Sequence, residues 1–477
     1  MRRRALVLML AGLVVLPACR ERAAPSPPPR ASSAPGNGWN VLLLTVDTLR
    51  ADHLGAYGYR RPTSPHIDAL ASRGTTFDRA YTFWPKTRAS FVMMLTGRRP
   101  SQNGYSHRHP QLLDFNPTLA SVLKQAGYVT AAVVDNANVA KGLGYAKGFD
   151  SYREIWEQPE LKTEWEGTQA ITQGGLEFLR GAKAERPFFL WLHYVNPHAP
   201  YEPPAPYDKQ FLDAEAQAGP KQHVVSGFRG GIPRPLYVPG QKRVGYYVAQ
   251  YDGEIAAVDQ QLGLVLDALA ASPAGGKTLV VLASDHGESL GEHDYYFDHG
   301  EDLFEPCLRI PLIVAAPGGR RGQRSDVLAS TLDVVPTVLD AVKVPYPPDL
   351  GGESLFAVTG SGAGPKRERL FAQNDRNLMT TFDGHFKLVA KLEDGRTSYA
   401  LYDRASDPGE RKDVAGEQPE ELRRQRRELE LFVEATDREW AATRRRLEGA
   451  PQSEGTLSRE ACDRLQALGY VDSRCGP

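Results

Sequence analysis

Three short stretches of this chain carry residue types that do chemistry. The first is Val46-Asp47-Thr48-Leu49-Arg50, which closes an apolar run. The second is Ser284-Asp285-His286-Gly287-Glu288, which closes another. A carboxylate at one strand end and an Asp-His pair at a second supply oxygen and nitrogen ligands for a divalent cation. The bland alternative for each Asp is a helix N-cap. The third stretch is Trp84-Pro85-Lys86-Thr87-Arg88, followed by apolar residues up to Gly97. Pro85 is placed to start a helix and Gly97 to stop it. Thr87 then falls near a helix N-terminus, where free N–H groups favour anions. By itself it reads as a cap. On a metal, its hydroxyl is a nucleophile toward a phosphate or sulfate ester.

These residues need a scaffold that delivers strand ends to one place. Val41–Val46, Val129–Val134, Phe188–Leu192, Thr278–Ala283 and Pro311–Ala315 are apolar runs expected of buried strands. Pro117–Gly127 and Val248–Ala270 have helical spacing. The alternation predicts an α/β fold: a mostly parallel central sheet with helices on both faces. Ligands in such sheets bind at the C-terminal ends of strands. After about residue 345 the segments shorten, and a highly charged helix is expected around Glu420–Arg446. Its mixed signs read as a solvated face.

The chain has 477 residues, enough for one large α/β domain with an appendage. Its 57 Lys and Arg nearly balance 58 Asp and Glu, which argues against a nucleic-acid partner. With 4 Cys it is no disulfide scaffold; Cys462 and Cys475 could pair in an oxidising compartment, which would leave Cys307 alone in an apolar segment, but the sequence by itself does not establish that bond. Met1-Arg2-Arg3-Arg4, the apolar run Ala5–Leu16 and Leu16-Pro17-Ala18-Cys19 describe a secretory signal. They resemble a bacterial lipoprotein signal, which implies lipid on Cys19. The Pro/Ala/Ser-rich residues after it read as a tether. The expected organisation is a signal (1–18), a tether (19–38), a catalytic domain (39–345), a C-terminal subdomain (346–446) and a tail (447–477). The expected location is the cell envelope, periplasmic or on the outer surface, anchored to the membrane through Cys19.

Taken together, the motifs resemble the sulfatase-like branch of the alkaline phosphatase superfamily. The likeness runs through Asn40-Val41-Leu42-Leu43-Leu44-Thr45-Val46-Asp47, Thr63-Ser64-Pro65-His66-Ile67-Asp68, Leu95-Thr96-Gly97-Arg98-Arg99-Pro100, Asn196-Pro197-His198-Ala199-Pro200-Tyr201, Ser284-Asp285-His286-Gly287 and Leu401-Tyr402-Asp403. Their joint order and spacing carry it. The resemblance implies that fold, with a smaller C-terminal α+β subdomain and a short antiparallel sheet within Leu370–Leu401. It implies one divalent metal held by Asp47, Thr87, Asp285 and His286. Mixed nitrogen and oxygen ligands favour Zn or Mn, with Ca the alternative of all-oxygen sites.

The chain departs from the sulfatase pattern Cys (or Ser)-x-Pro-x-Arg, whose positions are here Thr87, Ala89 and Phe91. Thr87 cannot become formylglycine. Lys86-Thr87 is instead similar to the nucleophile segments of nucleotide pyrophosphatase/phosphodiesterases and phosphoethanolamine transferases. The cationic Lys/His segment of sulfatases is replaced by Asp135-Asn136-Ala137-Asn138, so Asn136 is a candidate contact to an ester oxygen. Arg50 and Lys86 are candidate positive groups for developing charge. His198 aligns with a sulfatase histidine that contacts the ester, and His299 with a histidine in the transferase substrate site. Either is expected to protonate the leaving group; His293 reads as a solvated loop residue. The expected function is hydrolysis of phosphate or sulfate esters, on a glycan or lipid. Headgroup transfer and a non-catalytic binding protein are the alternatives.

Overall fold

The computed structural model describes residues 37–477 apart from 159, 184, 361, 376, 449–456, 469–474, 476 and 477. The signal segment and nearly all of the tether lie outside the described residues.

Strand β1 (Asn40–Val46) is buried along its whole length. Alternate side chains leave opposite faces of a strand, so Val41 and Leu43 enter one core and Leu42 and Leu44 the other. A strand with two apolar faces has to lie mid-sheet. Its neighbours in chain order are β2 (Thr75–Tyr81), β3 (Val129–Val134), β4 (Ser151–Glu154), β5 (Phe188–Tyr194), β6 (Thr278–Ser284), β7 (Leu312–Ala315) and β8 (Gln323–Ser330). The order across the sheet is β8-β2-β7-β6-β1-β5-β3-β4. Every neighbouring pair is parallel except β7 with β2 and with β6. The sheet is thus mostly parallel, as expected, but the run at Leu312–Ala315 enters it reversed.

Helices cover both faces. They are α1 (Pro65–Ala71), α2 (Thr87–Thr96), α3 (Leu119–Gln125), α4 (Glu164–Gly181), α5 (Val244–Ala271) and α6 (Val334–Ala341). On one face Phe91, Met93 and Leu95 of α2 join Val41 and Leu43; on the other Ile255, Val258 and Leu262 of α5 join Leu42 and Leu44. Almost all of α2 is buried, so it lacks the polar stripe of a surface helix.

Strands β9 (Leu370–Gln373), β10 (Leu378–Phe382), β11 (Phe386–Glu393) and β12 (Arg396–Asp403) form an antiparallel meander, the smaller C-terminal sheet. Helix α7 (Pro419–Glu448) sets Leu429 against Leu388, Ala390 and Leu401 of that sheet. The stretch expected as a tail holds a further helix, α8 (Arg459–Ala467), whose Ala461 and Leu465 pack on Ala137. Cys462 is bonded to Cys475, and Cys307 is free and buried. Among the described residues no helix is long and apolar enough to cross a membrane.

Candidate active site

Strands β1 and β6 run side by side with Val46 opposite Ser284. The residues that follow, Asp47 and Asp285, therefore leave the same sheet edge as neighbours. The Ser284 hydroxyl ties the two ends: it accepts the Leu49 N–H at 3.1 Å and donates to the Val46 carbonyl at 2.8 Å. Thr48 sits at φ 53, a region costly for a β-branched residue. Its carbonyl is held by the Tyr251 hydroxyl of α5 at 2.7 Å.

Asp47, Asp285 and His286 are fully buried, and one ligand atom from each lies within 4.8 Å of the others. His286 Nδ1 donates to the Gly287 carbonyl at 3.0 Å. That fixes the tautomer and leaves the Nε2 lone pair facing the cluster. Nε2 is 3.2 Å from Asp285 Oδ2 and 3.7 Å from Asp47 Oδ1. Burial, and next the charge of Asp285, push the Asp47 carboxyl well above its usual range; burial raises Asp285 too. Asp47 Oδ1 and Asp285 Oδ2 are buried without a hydrogen-bond partner among the described residues. Two such oxygens beside an imidazole lone pair are costly unless a cation completes them, so the donor set fits a divalent metal.

Thr87 Oγ1 lies 3.2 Å from the same His286 Nε2. It occupies the first helical position of α2, not the cap expected from sequence; Lys86 is the cap and makes no side-chain capping bond. The N–H groups of the first turn consequently lack intrahelical acceptors. Ser90, one turn on, docks the helix by donating to the Asp285 carbonyl at 2.8 Å.

The two candidate histidines lie beside this cluster. The His299 ring centroid is 4.1 Å from that of His286 and 5.2 Å from that of His198. His198 Nδ1 donates to the Ala199 carbonyl at 2.7 Å, and burial lowers its pKa to about 4. Burial and the neighbouring imidazoles hold His299 well below its ordinary value, with Glu288 Oε1 3.6 Å from its Nδ1. Both rings are neutral at pH 7, so each takes a proton before it can give one.

The candidate substrate contacts are placed differently from one another. Asn136 donates to Asp47 Oδ2 at 2.6 Å and is itself fixed by the Asn138 N–H at 2.9 Å. Its amide grips a carboxylate of the cluster. Lys86 Nζ is 3.0 Å from Asp375 Oδ2. A Cβ at Gly300 would stand 2.5 Å from Lys86 Cε, so a glycine there lets the lysine pass. The structure does not bring Arg50 to the cluster. Its guanidinium is bound to Asp52 and Glu292, each at 2.7 Å, and to the Glu288 carbonyl at 3.0 Å.

One residue escaped the sequence. His193 on β5 is fully buried with Nε2 3.8 Å from Asp47 Oδ2. Its Nδ1 is 3.1 Å from Thr45 Oγ1, which also accepts the Trp191 indole N–H at 2.8 Å. Burial lowers its pKa to about 3, so it backs Asp47 as a neutral ring. The available signal was one polar ring in an otherwise apolar strand.

Comparison with known proteins gives the family and the fold. Residues 39–344 match the family described as Sulfatase, and residues 291–433 match that described as N-sulphoglucosamine sulphohydrolase, C-terminal. The chain is 25% identical over 383 residues to an arylsulfatase of Clostridium perfringens, covering 66% of this chain and 77% of that protein. It is 25% identical over 416 residues to the Delta 4,5-hexuronate-2-O-sulfatase of Bacteroides thetaiotaomicron, covering 79% and 84%. Its fold is that of the phosphonate monoester hydrolase of Agrobacterium radiobacter: TM-score 0.69, 21% identity, covering 83% of this chain and 95% of that one. With β1, β6 and α2 converging on a buried Asp/His cluster that fits a metal, and with the family matched over most of its length, the chain belongs to the sulfatase family and is a hydrolase of sulfuric or phosphoric esters.

Proposed function

We propose that Thr87 is the nucleophile of this hydrolase, held on one divalent ion by Asp47, Asp285 and His286. The observation that carries the reading is the 3.2 Å approach of Thr87 Oγ1 to His286 Nε2, in a cluster with two buried, unpartnered carboxylate oxygens. The ion, when bound, offsets the carboxylates and favours the alkoxide form of a bound hydroxyl; the donor set favours Zn or Mn. Thr87 Oγ forms a bond to the sulfur or phosphorus as the bond to the leaving oxygen breaks. A neutral imidazole, His198 or His299, takes the threonine proton and returns it to the leaving oxygen. Water then displaces Thr87 and releases sulfate or phosphate. Lys86 and the first turn of α2 supply positive charge beside the transferring group.

The substrate we infer is an ester on a glycan or lipid, since a relative of similar length is a hexuronate-2-O-sulfatase. Export with a lipid on Cys19 rests on the N-terminal sequence pattern, and the Cys462–Cys475 bond supports an oxidising compartment. Nitrophenyl phosphate monoester, diester and sulfate test the chemistry, with Zn, Mn or Ca added. Turnover of at least one ester is expected, falling about a thousandfold or more in Thr87→Ala and surviving in part in Thr87→Ser. Undiminished turnover by Thr87→Ala would remove the threonine from the mechanism.

A further inference from the structure

We infer that the chain has a second anion-binding site, separate from the metal centre, which takes a ligand bearing sulfate or phosphate groups. It is a cavity of about 940 Å³ whose lining includes none of Asp47, Thr87, Asp285 and His286. One wall is the C-terminal half of β2, at Asp78–Tyr81. The segments Gly291–His293 and Glu305–Arg309 form a second, and Gly384 with Arg404–Arg411 of the C-terminal region close the third.

Charge accounting points to the ligand. Four carboxylates line the cavity: Asp52, Asp78, Glu292 and Glu305. Each already has an arginine. Arg50 holds Asp52 and Glu292, Arg404 holds Glu305 at 2.6 Å, and Arg324, outside the lining, holds Asp78. Three further arginines line the same space, Arg79, Arg309 and Arg411. None of the three forms an ion pair among the described residues. Arg309 donates to the Asp78 carbonyl at 3.0 Å, and Arg79 reaches only the Asp326 carbonyl, at 3.5 Å.

Arg79 carries the argument furthest. Its Nη2 is buried and has no hydrogen-bond partner among the described residues. It lies under the turn at Gly384, where an added Cβ would stand 3.0 Å from it. A buried guanidinium N–H without an acceptor is costly, and the lining carries five arginines against four carboxylates, which leaves it net positive. A tetrahedral oxyanion resolves both: it offers several acceptor oxygens at once, in the fork geometry that arginine matches. The volume is within the range of sites that enclose small molecules, so there is room for a sugar unit that carries the anion.

Calorimetric titration of the full chain, stripped of metal with a chelator, tests this. The probes are inorganic sulfate, inorganic phosphate and a heparin tetrasaccharide. Saturable binding of at least one probe is expected, weakening as salt rises and falling tenfold or more in Arg79→Gln with Arg411→Ala. Thr87→Ala leaves it unchanged. Arg411 is exposed, so Arg411→Ala alone carries the test if Arg79→Gln fails to fold. Binding of the small ions as tightly as the oligosaccharide identifies a free oxyanion as the ligand; much tighter oligosaccharide binding identifies a charged glycan. Binding that survives the arginine substitutions, or that vanishes in Thr87→Ala, overturns the site, as does the failure of all three probes. Because no metal and no turnover are involved, this outcome is separate from that of the threonine mechanism.

Discussion

A carboxylate that holds a cation must itself be held, and Asn136 does this for Asp47. Its amide N–H fixes one oxygen, and the other has no hydrogen-bond partner among the described residues, as the proposed ion requires. Groups that orient a metal ligand are typically worth ten- to a hundredfold in metal affinity. Asn136→Ala is therefore expected to weaken binding of Zn or Mn by about that factor, read by competition with a chromophoric chelator. Unchanged affinity with a raised KM would return Asn136 to the ester contact expected from sequence. The placement of Asp285-His286 just past a strand end was legible from the apolar run before it, and that of Thr87 at a helix start because Pro85 and Gly97 bracket the helix. His193 was not: its partner Asp47 lies on another strand, and a histidine inside an apolar run gives no sign of what lies beside it. The charge of Arg50 was legible but its partner was not. Asp52 is two residues away, and Glu292 comes from a distant loop.

Helix α8 closes the molecule at Asp135 and Glu164 through one side chain. Arg464 reaches Asp135 at 3.2 Å and Glu164 at 3.3 Å. Burial pushes these carboxyls up to about 6 and about 7. A carboxyl raised in the folded state favours folding fully below its unfolded pKa near 4, and that contribution is lost as pH rises through the folded value. Arg464 limits the loss. Arg464→Met is thus expected to cost little at pH 5 and about 2–3 kcal/mol at pH 8, measured by urea unfolding at both. An equal loss at both pH values would assign Arg464 to packing alone. From sequence, α8 lay in a stretch read as a tail, because nothing local marks Ala461 and Leu465 as the two residues that meet Ala137. The long elements were plainer: α5 shows its period over many turns, and β1 its unbroken apolar run. An apolar run reports burial and not direction, which is why the reversal of β7 was hidden. Strands β2, β4 and β8 were missed because polar residues interrupt them, as in Gln323–Ser330 at the sheet edge.

The whole molecule should feel the metal as a fold stabiliser. Asp47 and Asp285 are buried side by side just past the ends of the two central strands, so their repulsion opposes the folded state and a bound cation relieves it. A free metal concentration of about a hundred times Kd adds about 2.7 kcal/mol, seen as a rise in Tm of several degrees. Asp285→Asn is expected to abolish the rise. A wild-type Tm indifferent to chelator and to added Zn, Mn or Ca would mean that the cluster holds no ion. The resemblance to sulfatases foretold the architecture, yet β7 gives it a property that the family likeness did not convey. Because β7 returns antiparallel to β6, residues 285–311 leave and re-enter the sheet at the same end. They form an overhang above the strand tips where a parallel neighbour would have required a crossover. That one excursion supplies Asp285, His286 and His299 to one side and Glu292, Glu305 and Arg309 to the other. Doubling the length of such an excursion costs only about 0.6 kcal/mol in closure entropy. Outside Asp285, His286 and His299 it is the segment in which this scaffold can be respecified, exchanging what it recognises while every strand beneath keeps its register.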